Sequence, residues 1–501
     1  MRLTVVLVAL SLPLALSNVS AQRAAPVDVV IVGGRVLDPE TGLDAIRAVG
    51  IKAGRIVSVT TTVPAARDTV DAKGLVVAPG FIDLHSHGQD SINYKFMAHD
   101  GVTTALELEL GTYPVAPWYA ERVGKSLINF GVSASHPGAR RAMLDHDSTA
   151  EGADVIGATG NFVHSPIERS RLPELDRRLD GALSEGALGI GMGINYTPAA
   201  TREEILGAFG VAARHHAPIF VHLRSAGLIE NAGGIAGVQE VIADAAATGA
   251  PLHVVHVTSM GLSATPALLQ LIDGARARGL DVTTEAYPYT AGATMLQSAI
   301  FDPGFQERMG IDYSNILWPA TGERLTAETF AKYRQQGGLA VIFMIPDSAA
   351  DQAYRDRDVM VASDGGFQIQ NGQPIGHPRS AGTHARILGR FVRERNVISL
   401  MDAVRKMTLL PAKRLEHVDP EMKHKGRLQA GADADIVVFD PARVVDRATF
   451  EKPAQYSDGI IDVLVNGTFV VRGSNLVPGV APGKPARGRV GSSRVAGGGG
   501  R

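Results

Sequence analysis

Six side chains carry the chemistry open to this chain: His85, His87, Glu109, His222, His256 and Asp364. His85 and His87 close the apolar run Val76 to Leu84. Two residues apart on a β-strand, they project from one face, where two imidazoles can share a metal ion. Single histidines end two later apolar runs: His222 follows Ile219-Phe220-Val221, and His256 follows His253-Val254-Val255. Asp364 follows Val359-Met360-Val361-Ala362-Ser363. Glu107 and Glu109 share a face of the run Ala105 to Leu110, and a carboxylate on a buried strand is costly unless paired or metal-bound. Glu109, nearer the strand's C-terminal end, is the expected bridging ligand, with Glu107 as the alternative or as a partner behind it. His253, three residues before His256, is expected to face the other way. This N/O donor set suits one or two Zn²⁺ ions, with Mn²⁺ and Fe²⁺ also compatible. Such an ion acidifies the water it binds and polarises a carbonyl. A nearby carboxylate, here Asp364, then takes a proton and returns it to a leaving amine. The chemistry that follows is amide hydrolysis.

These residues need a scaffold that brings distant strand ends together. From about Pro79 the chain alternates apolar strands with amphipathic helices, a pattern that implies a parallel sheet. Strands are predicted at 80–84, 103–109, 127–133, 189–193, 218–222, 252–256, 282–287 and 359–363. Eight such strands close a (β/α) barrel, whose functional residues stand at the C-terminal strand ends. Helices are predicted at 175–187, 202–215, 237–248, 265–278 and 399–415. The connection from about 291 to 357 is too long for a plain loop, so it reads as an inserted subdomain with its own helix (327–336) and strand (339–344). Before the barrel (22–78) and after it (416–485) the texture is β, which predicts one small β-sandwich domain built from both ends of the chain. The expected class is therefore α/β: a TIM-like barrel at 79–415 carrying that insertion before its last strand. The Gly-rich end, 486–501, is expected to be disordered.

Apolar content of 45%, charged content of 20% and a formal net charge of −2 are globular values and give no basic field for nucleic acid. Arg2, the apolar run Leu3 to Leu16 and Val19-Ser20-Ala21 form a signal-peptide pattern over 1–21, which predicts export to the periplasm or beyond. No later segment is long and apolar enough to span a bilayer. The chain has no cysteine, which excludes disulfides and thiolate ligands alike.

Taken together, the H-x-H pair, the two single histidines and the strand-eight aspartate resemble the amidohydrolase superfamily. Gly101-Val102-Thr103-Thr104, Glu285-Ala286-Tyr287-Pro288-Tyr289, Ser363-Asp364-Gly365, His377-Pro378-Arg379 and Ala448-Thr449-Phe450-Glu451-Lys452-Pro453 look like the N-acyl-D-amino-acid deacylases. The strand Ala105-Leu106-Glu107-Leu108-Glu109 is most similar to the D-glutamate deacylases among them. The resemblance implies a metal-dependent enzyme that frees a D-amino acid from its N-acyl derivative. It assigns Asp364 and Tyr287 to catalysis and Arg379 to the substrate α-carboxylate. It also places Tyr196 in the pocket wall. The relatives usually bridge their metal with a Cys at the position of Leu110, so either a local shift brings a glutamate into its place or the bridge is missing. They often carry a Lys where this chain has Thr258, so one carboxylate contact is either lost or supplied elsewhere, with Arg224 the candidate. No Lys lies in 189–193 to bridge two ions by carbamylation. A dipeptidase of the same superfamily is the neighbouring reading, and a non-catalytic binding protein is the reading of another class.

Overall fold

The computed structural model describes residues 25–148, 150–230, 232–370 and 372–490. The segment expected to be a signal peptide lies outside them. Eight parallel strands form the barrel: β1 (Phe81–Asp83), β2 (Val102–Tyr113), β3 (Asn129–Ser135), β4 (Ile190–Gly193), β5 (Ile219–His222), β6 (Leu252–Val254), β7 (Val282–Ala286) and β8 (Val359–Val361). They pair in chain order from β1 to β8. The ring is nearly closed: just beyond the ends of β8 and β1, Ser86 bridges Gly365 and the Asp364 N–H donates to the His85 carbonyl at 2.8 Å. Asp83 fastens the same seam, accepting from the His85 and Ser363 N–H groups at 3.1 and 3.0 Å. Helices at Leu172–Ser184, Arg202–Arg214, Gly234–Thr248 and Thr265–Arg276 cover the strands. The predicted helix at 399–415 is two helices, Leu400–Met407 and Leu409–Leu415, because Thr408 leaves the helical region at φ −135°.

The strands before and after the barrel make one mixed sheet of nine. Its N-terminal part, Val27–Asp38 with Leu43–Lys52, Arg55–Thr60, Ala66–Asp71 and Val76–Pro79, joins Ile436–Phe439, which pairs antiparallel with Val76–Pro79. Alternation gives this sheet two apolar faces. Val77, Ile436, Val438 and Leu464 fill a small core of its own, while Val76, Ala78, Val437 and Phe439 join the barrel core. The strand Val76–Pro79 runs through Gly80 straight into β1, so the sheet fixes the position of the first metal-ligand candidates.

The insertion folds as a four-stranded sheet of Ala291–Met295, Leu339–Phe343, Ile316–Trp318 and Glu323–Arg324, with the helix Ala327–Gln336. Phe301, Phe305, Phe330 and Trp318 form its separate core. It ends near Ile345, short of the expected 357. The helix Asp347–Arg355 that follows belongs to the barrel, since Ala350, Ala353 and Tyr354 enter the barrel core and Tyr354 Oη donates to the Ala286 carbonyl at 2.7 Å. The tail also differs from expectation at its start. Ala486 N–H donates to the Phe130 carbonyl and Gly488 N–H to the Gly186 carbonyl, which anchors 486–488 to the barrel. Residues 491–501 lie outside the described residues.

Candidate metal centre and its cleft

All six ligand candidates converge at the C-terminal mouth of the barrel, and their side chains are less than a tenth exposed except those of His87 and Asp364, at about that value. They form two groups that share Glu109: His85, His87, Glu109 and Asp364, and Glu109, His222 and His256. Glu109 Oε2 lies 3.2 Å from His85 Nε2 and 3.3 Å from His87 Nε2. Its other oxygen, Oε1, lies 2.7 Å from His222 Nδ1 and 2.9 Å from His256 Nε2. Asp364 Oδ1 completes the first group at 3.4 Å from His85 Nε2 and 3.2 Å from His87 Nε2. The carboxylate expected to bridge is thus the one between the two groups. Glu107 stands behind it, with Oε2 2.7 Å from His87 Nδ1.

A local distortion of β2 delivers Glu109. Glu107 pairs with Val132 and Thr112 with Ala134, so four intervening residues of β2 oppose one of β3. Gly111 turns this bulge with φ 65°, and Ser133 Oγ holds it by donating to the Leu108 carbonyl at 2.8 Å. Gly191 on β4 makes room for it: a Cβ there would lie 2.7 Å from both the Leu108 and the Glu109 carbonyl oxygens. The β2 backbone thus leaves no room for a side chain at Gly191.

Two ligand candidates need unusual backbone. His256 has φ 29° and Asp364 has φ 52°, both in the left-handed region that costs a non-glycine residue energy. The turn at His256 also breaks the alternation that predicted an outward His253. The His253 ring lies inside the barrel, with Nε2 3.1 Å from Glu285 Oε2 and Nδ1 2.7 Å from Thr283 Oγ1.

The hydrogen-bond partners behind the ligands show that the cluster fits a cation. His85 Nδ1–H donates to Glu285 Oε1 at 2.6 Å and His87 Nδ1–H to Glu107 Oε2 at 2.7 Å. With Nδ1 committed to a carboxylate, the two Nε2 atoms lie 3.3 Å apart and face the oxygens of Glu109 and Asp364, the orientation in which deprotonated rings would offer lone pairs to a cation. Burial pushes both imidazoles down, but the carboxylates of Glu109, Asp364, Glu285 and Glu107 outweigh it and hold them well above their usual range, so the cluster favours positive charge, which a bound cation would supply in place of protons. Ser259 Oγ donates to the His256 carbonyl at 3.0 Å, so at 2.9 Å from the ring it accepts from His256 Nδ1–H and leaves Nε2 free toward Glu109. Burial pushes the Glu285 carboxyl up, but His85 and His253 outweigh it and hold the group at about 2. Glu285 was legible as part of the quoted Glu285-Ala286-Tyr287 motif, two residues before Tyr287 on one strand face, yet nothing local to it names His85 as its partner.

A cavity opens over the cluster, lined by Tyr196, Tyr287, Arg379 and Arg224 together with every ligand candidate except His85, and walled by Met309, Ile342 and Met344 of the insertion. Arg379 is buried, with Nη1 2.9 Å from Asp364 Oδ2 and its guanidinium 4.6 Å over the Tyr287 ring. Its Nε is buried without a hydrogen-bond partner, which leaves donor capacity for an anion. Burial pushes the Tyr287 hydroxyl up to about 12, so it stays a donor at neutral pH. Tyr196 Oη is 3.1 Å from Thr294 Oγ1, and its ring packs edge-on against His222. Arg224 reaches the wall but is already committed: it chelates Glu240 at 2.8–3.1 Å and donates to the Ala200 carbonyl at 2.8 Å. Its expected role as a carboxylate contact is therefore not met by a free guanidinium.

An eight-stranded parallel barrel, a mixed sheet from both ends of the chain and a buried His/Glu/Asp cluster at the barrel mouth define a metal-site hydrolase scaffold. The amidohydrolase family model matches residues 68–471, and the chain belongs to that family. Within it, the chain is a D-aminoacylase-like hydrolase of carbon–nitrogen bonds. It is 31% identical to the D-aminoacylase of Alcaligenes xylosoxydans xylosoxydans across 90% of this chain and 96% of that protein. It is 32% identical to the N-acyl-D-glutamate deacylase of the same organism across 88% of this chain and 93% of that protein. Among solved structures, it is similar to the N-acyl-D-glutamate deacylase of Bordetella bronchiseptica, with a TM-score of 0.76 and 26% identity over 92% of this chain and 100% of that one. That protein was crystallised with zinc and a phosphonate inhibitor that mimics the tetrahedral intermediate of its reaction.

Proposed function

We propose that this protein is a zinc-dependent N-acyl-D-amino-acid deacylase, with N-acyl-D-glutamate as its leading substrate. The observation that carries the reading is Glu109 sharing its two oxygens between two histidine pairs beneath a cavity that also presents Arg379 and Tyr287. His85, His87, Asp364 and one oxygen of Glu109 would hold one ion, and His222, His256 and the other oxygen would hold a second. When bound, a divalent cation supplies the Lewis acidity that activates water and polarises the amide carbonyl. Asp364 accepts a proton from the attacking water and returns it to the leaving nitrogen. The Tyr287 hydroxyl donates to the developing oxyanion. Arg379 grips the α-carboxylate with its planar fork of donors, which sets the hand of the substrate relative to Asp364.

The glutamate preference draws support from Arg308 in the cavity wall. Its guanidinium is pinned by the carbonyls of Pro303, Asp302 and Ile300 at 2.9, 3.0 and 3.3 Å. Among the described residues it has no carboxylate partner, so a fixed positive charge meets whatever side chain enters there. The test is a panel of N-acetyl-D-glutamate, N-acetyl-L-glutamate, an apolar N-acetyl-D-amino acid and a small dipeptide. We expect the highest kcat/KM for N-acetyl-D-glutamate and negligible turnover of its L isomer. Equal rates for the two hands, or a preference for the dipeptide, would replace this reading with that of a peptidase.

A further inference from the structure

We propose that the acyl group of the substrate enters a second chamber, closed by Phe367, Met295 and Leu339, and that this chamber restricts the enzyme to short aliphatic acyl groups. This rests on the deacylase reading above and assigns the half of the substrate that the reading leaves unplaced. The chamber holds about 70 Å³, against about 120 Å³ for the main cleft. The two meet at the metal centre: His87 and Asp364 line both, and so do Thr294 and Arg379. An amide substrate extends in two directions from its reacting carbon, with the acyl chain on one side and the amino acid on the other. Two chambers that diverge from the same pair of ligand candidates match that shape.

Charge decides which half goes where. The main cleft carries Arg308, the pinned cation that meets a charged side chain. Among the described residues, the second chamber has no charged group beyond the shared His87, Asp364 and Arg379. The His377 ring in its wall is already spent: Nδ1 accepts from the Arg379 N–H at 3.0 Å, so Nε2–H donates to the Ala291 carbonyl at 3.0 Å. Gln368 turns its amide nitrogen to Met295 Sδ at 3.0 Å. Phe367, Leu339 and Met295 thus offer an apolar surface that accepts a neutral acyl chain and disfavours a second carboxylate. The closed end is fixed. The Phe367 N–H donates to Asn93 Oδ1 at 2.8 Å, its carbonyl accepts from Asn93 Nδ2 at 3.3 Å, and its ring packs edge-on against Phe96 with centroids 5.0 Å apart. Phe367 and Leu339 close over Gly376, where an added Cβ would lie 3.1 Å from one side chain and 3.6 Å from the other. A volume of about 70 Å³ is less than half of the roughly 150 Å³ that admits benzene. An acetyl or propionyl group fits there, and a benzoyl group does not.

The test is an acyl series on one amino acid: N-acetyl-, N-propionyl-, N-hexanoyl- and N-benzoyl-D-glutamate, with kcat/KM measured for each. The parent protein should hydrolyse the first two best and the benzoyl derivative at least about 100-fold less well than the acetyl. Phe367→Ala should raise the benzoyl-to-acetyl ratio by about 10–100-fold, because the removed ring is the end wall. Leu339→Ala opens the same end from the insertion side and serves if Phe367→Ala does not fold. Met344→Ala, in the wall of the main cleft, should change the preference among N-acetyl-D-amino acids and leave the benzoyl-to-acetyl ratio within about threefold. A parent that turns over benzoyl and acetyl derivatives equally would overturn the chamber assignment while leaving the deacylase reading intact. So would a Phe367→Ala protein that changes amino-acid preference and not acyl preference, since the two halves would then be reversed. No turnover of any member of the series would overturn both.

Discussion

Replacing Gly191 with alanine should disable the centre without touching any of its ligands. The new Cβ would lie 2.7 Å from the carbonyl oxygens of both Leu108 and Glu109, and 2.4 Å from Ser133 Oγ. The serine hydroxyl can rotate, but the two carbonyls are the backbone of the bulge. Restoring an ordinary contact of 3.4 Å from 2.7 Å requires a displacement of about 0.7 Å. That exceeds the roughly 0.5 Å within which a functional constellation must be held. Overpacking of this kind costs about 1–3 kcal/mol of stability, and a misplacement near 1 Å can cost about 10²-fold in turnover. We therefore expect Gly191→Ala to fold, to lose part of its bound zinc as counted by mass spectrometry per chain, and to drop about 10²-fold in kcat. Gly181→Ala is the control. Gly181 lies in the helix Leu172–Ser184 with nothing within 4 Å of the added carbon, so alanine there should be neutral or stabilising by about 0.5–1 kcal/mol. A Gly191→Ala protein with full zinc content and kcat within about threefold of the parent would refute the claim that this backbone contact sets the bridging carboxylate.

Other outcomes follow from the same geometry. Asp364→Asn should keep at least one equivalent of metal, since the histidines remain, yet lose about 10²–10⁴-fold in kcat, read by steady-state hydrolysis of N-acetyl-D-glutamate. Arg379→Lys keeps the charge but loses the planar fork, so kcat/KM should fall about 10–100-fold, mainly through KM, if the substrate carboxylate is its partner. If the pattern over 1–21 directs export and cleavage, as proposed, N-terminal sequencing of protein recovered outside the cytoplasm should begin at Gln22; an intact Met1 start there would contradict cleavage after Ala21.

The barrel was legible because its signal is local. Each of the eight strands announces itself as a short apolar run, and the ligand candidates stand at or just beyond the ends of those runs. The insertion's helix, Ala327–Gln336, was equally plain. What the sequence left open is long-range or depends on backbone that departs from the ideal. The bulge that aims Glu109 is fixed by Ser133 and Gly191, which lie on two other strands. His253 was expected to face outward because strict alternation was extended through His256, where a φ of 29° breaks it. Arg224 looked free because nothing in its own stretch reveals Glu240, sixteen residues on and one helix away. Glu285 and His85 are 200 residues apart in the chain, and only closing the barrel makes them partners. The inserted subdomain was drawn too long because Asp347–Arg355 is helical wherever it packs, and its packing against the barrel is a tertiary fact.

The central claim is that turnover of an N-acyl-D-amino acid depends on metal held by His85, His87, Glu109, His222, His256 and Asp364. Its most direct test is a zinc titration of chelator-stripped protein, with N-acetyl-D-glutamate hydrolysis followed by release of free amine. The stripped protein is expected to be inactive and to regain turnover in step with added zinc, reaching its maximum by two equivalents per chain. Full activity in protein shown by mass spectrometry to hold no metal would contradict the account.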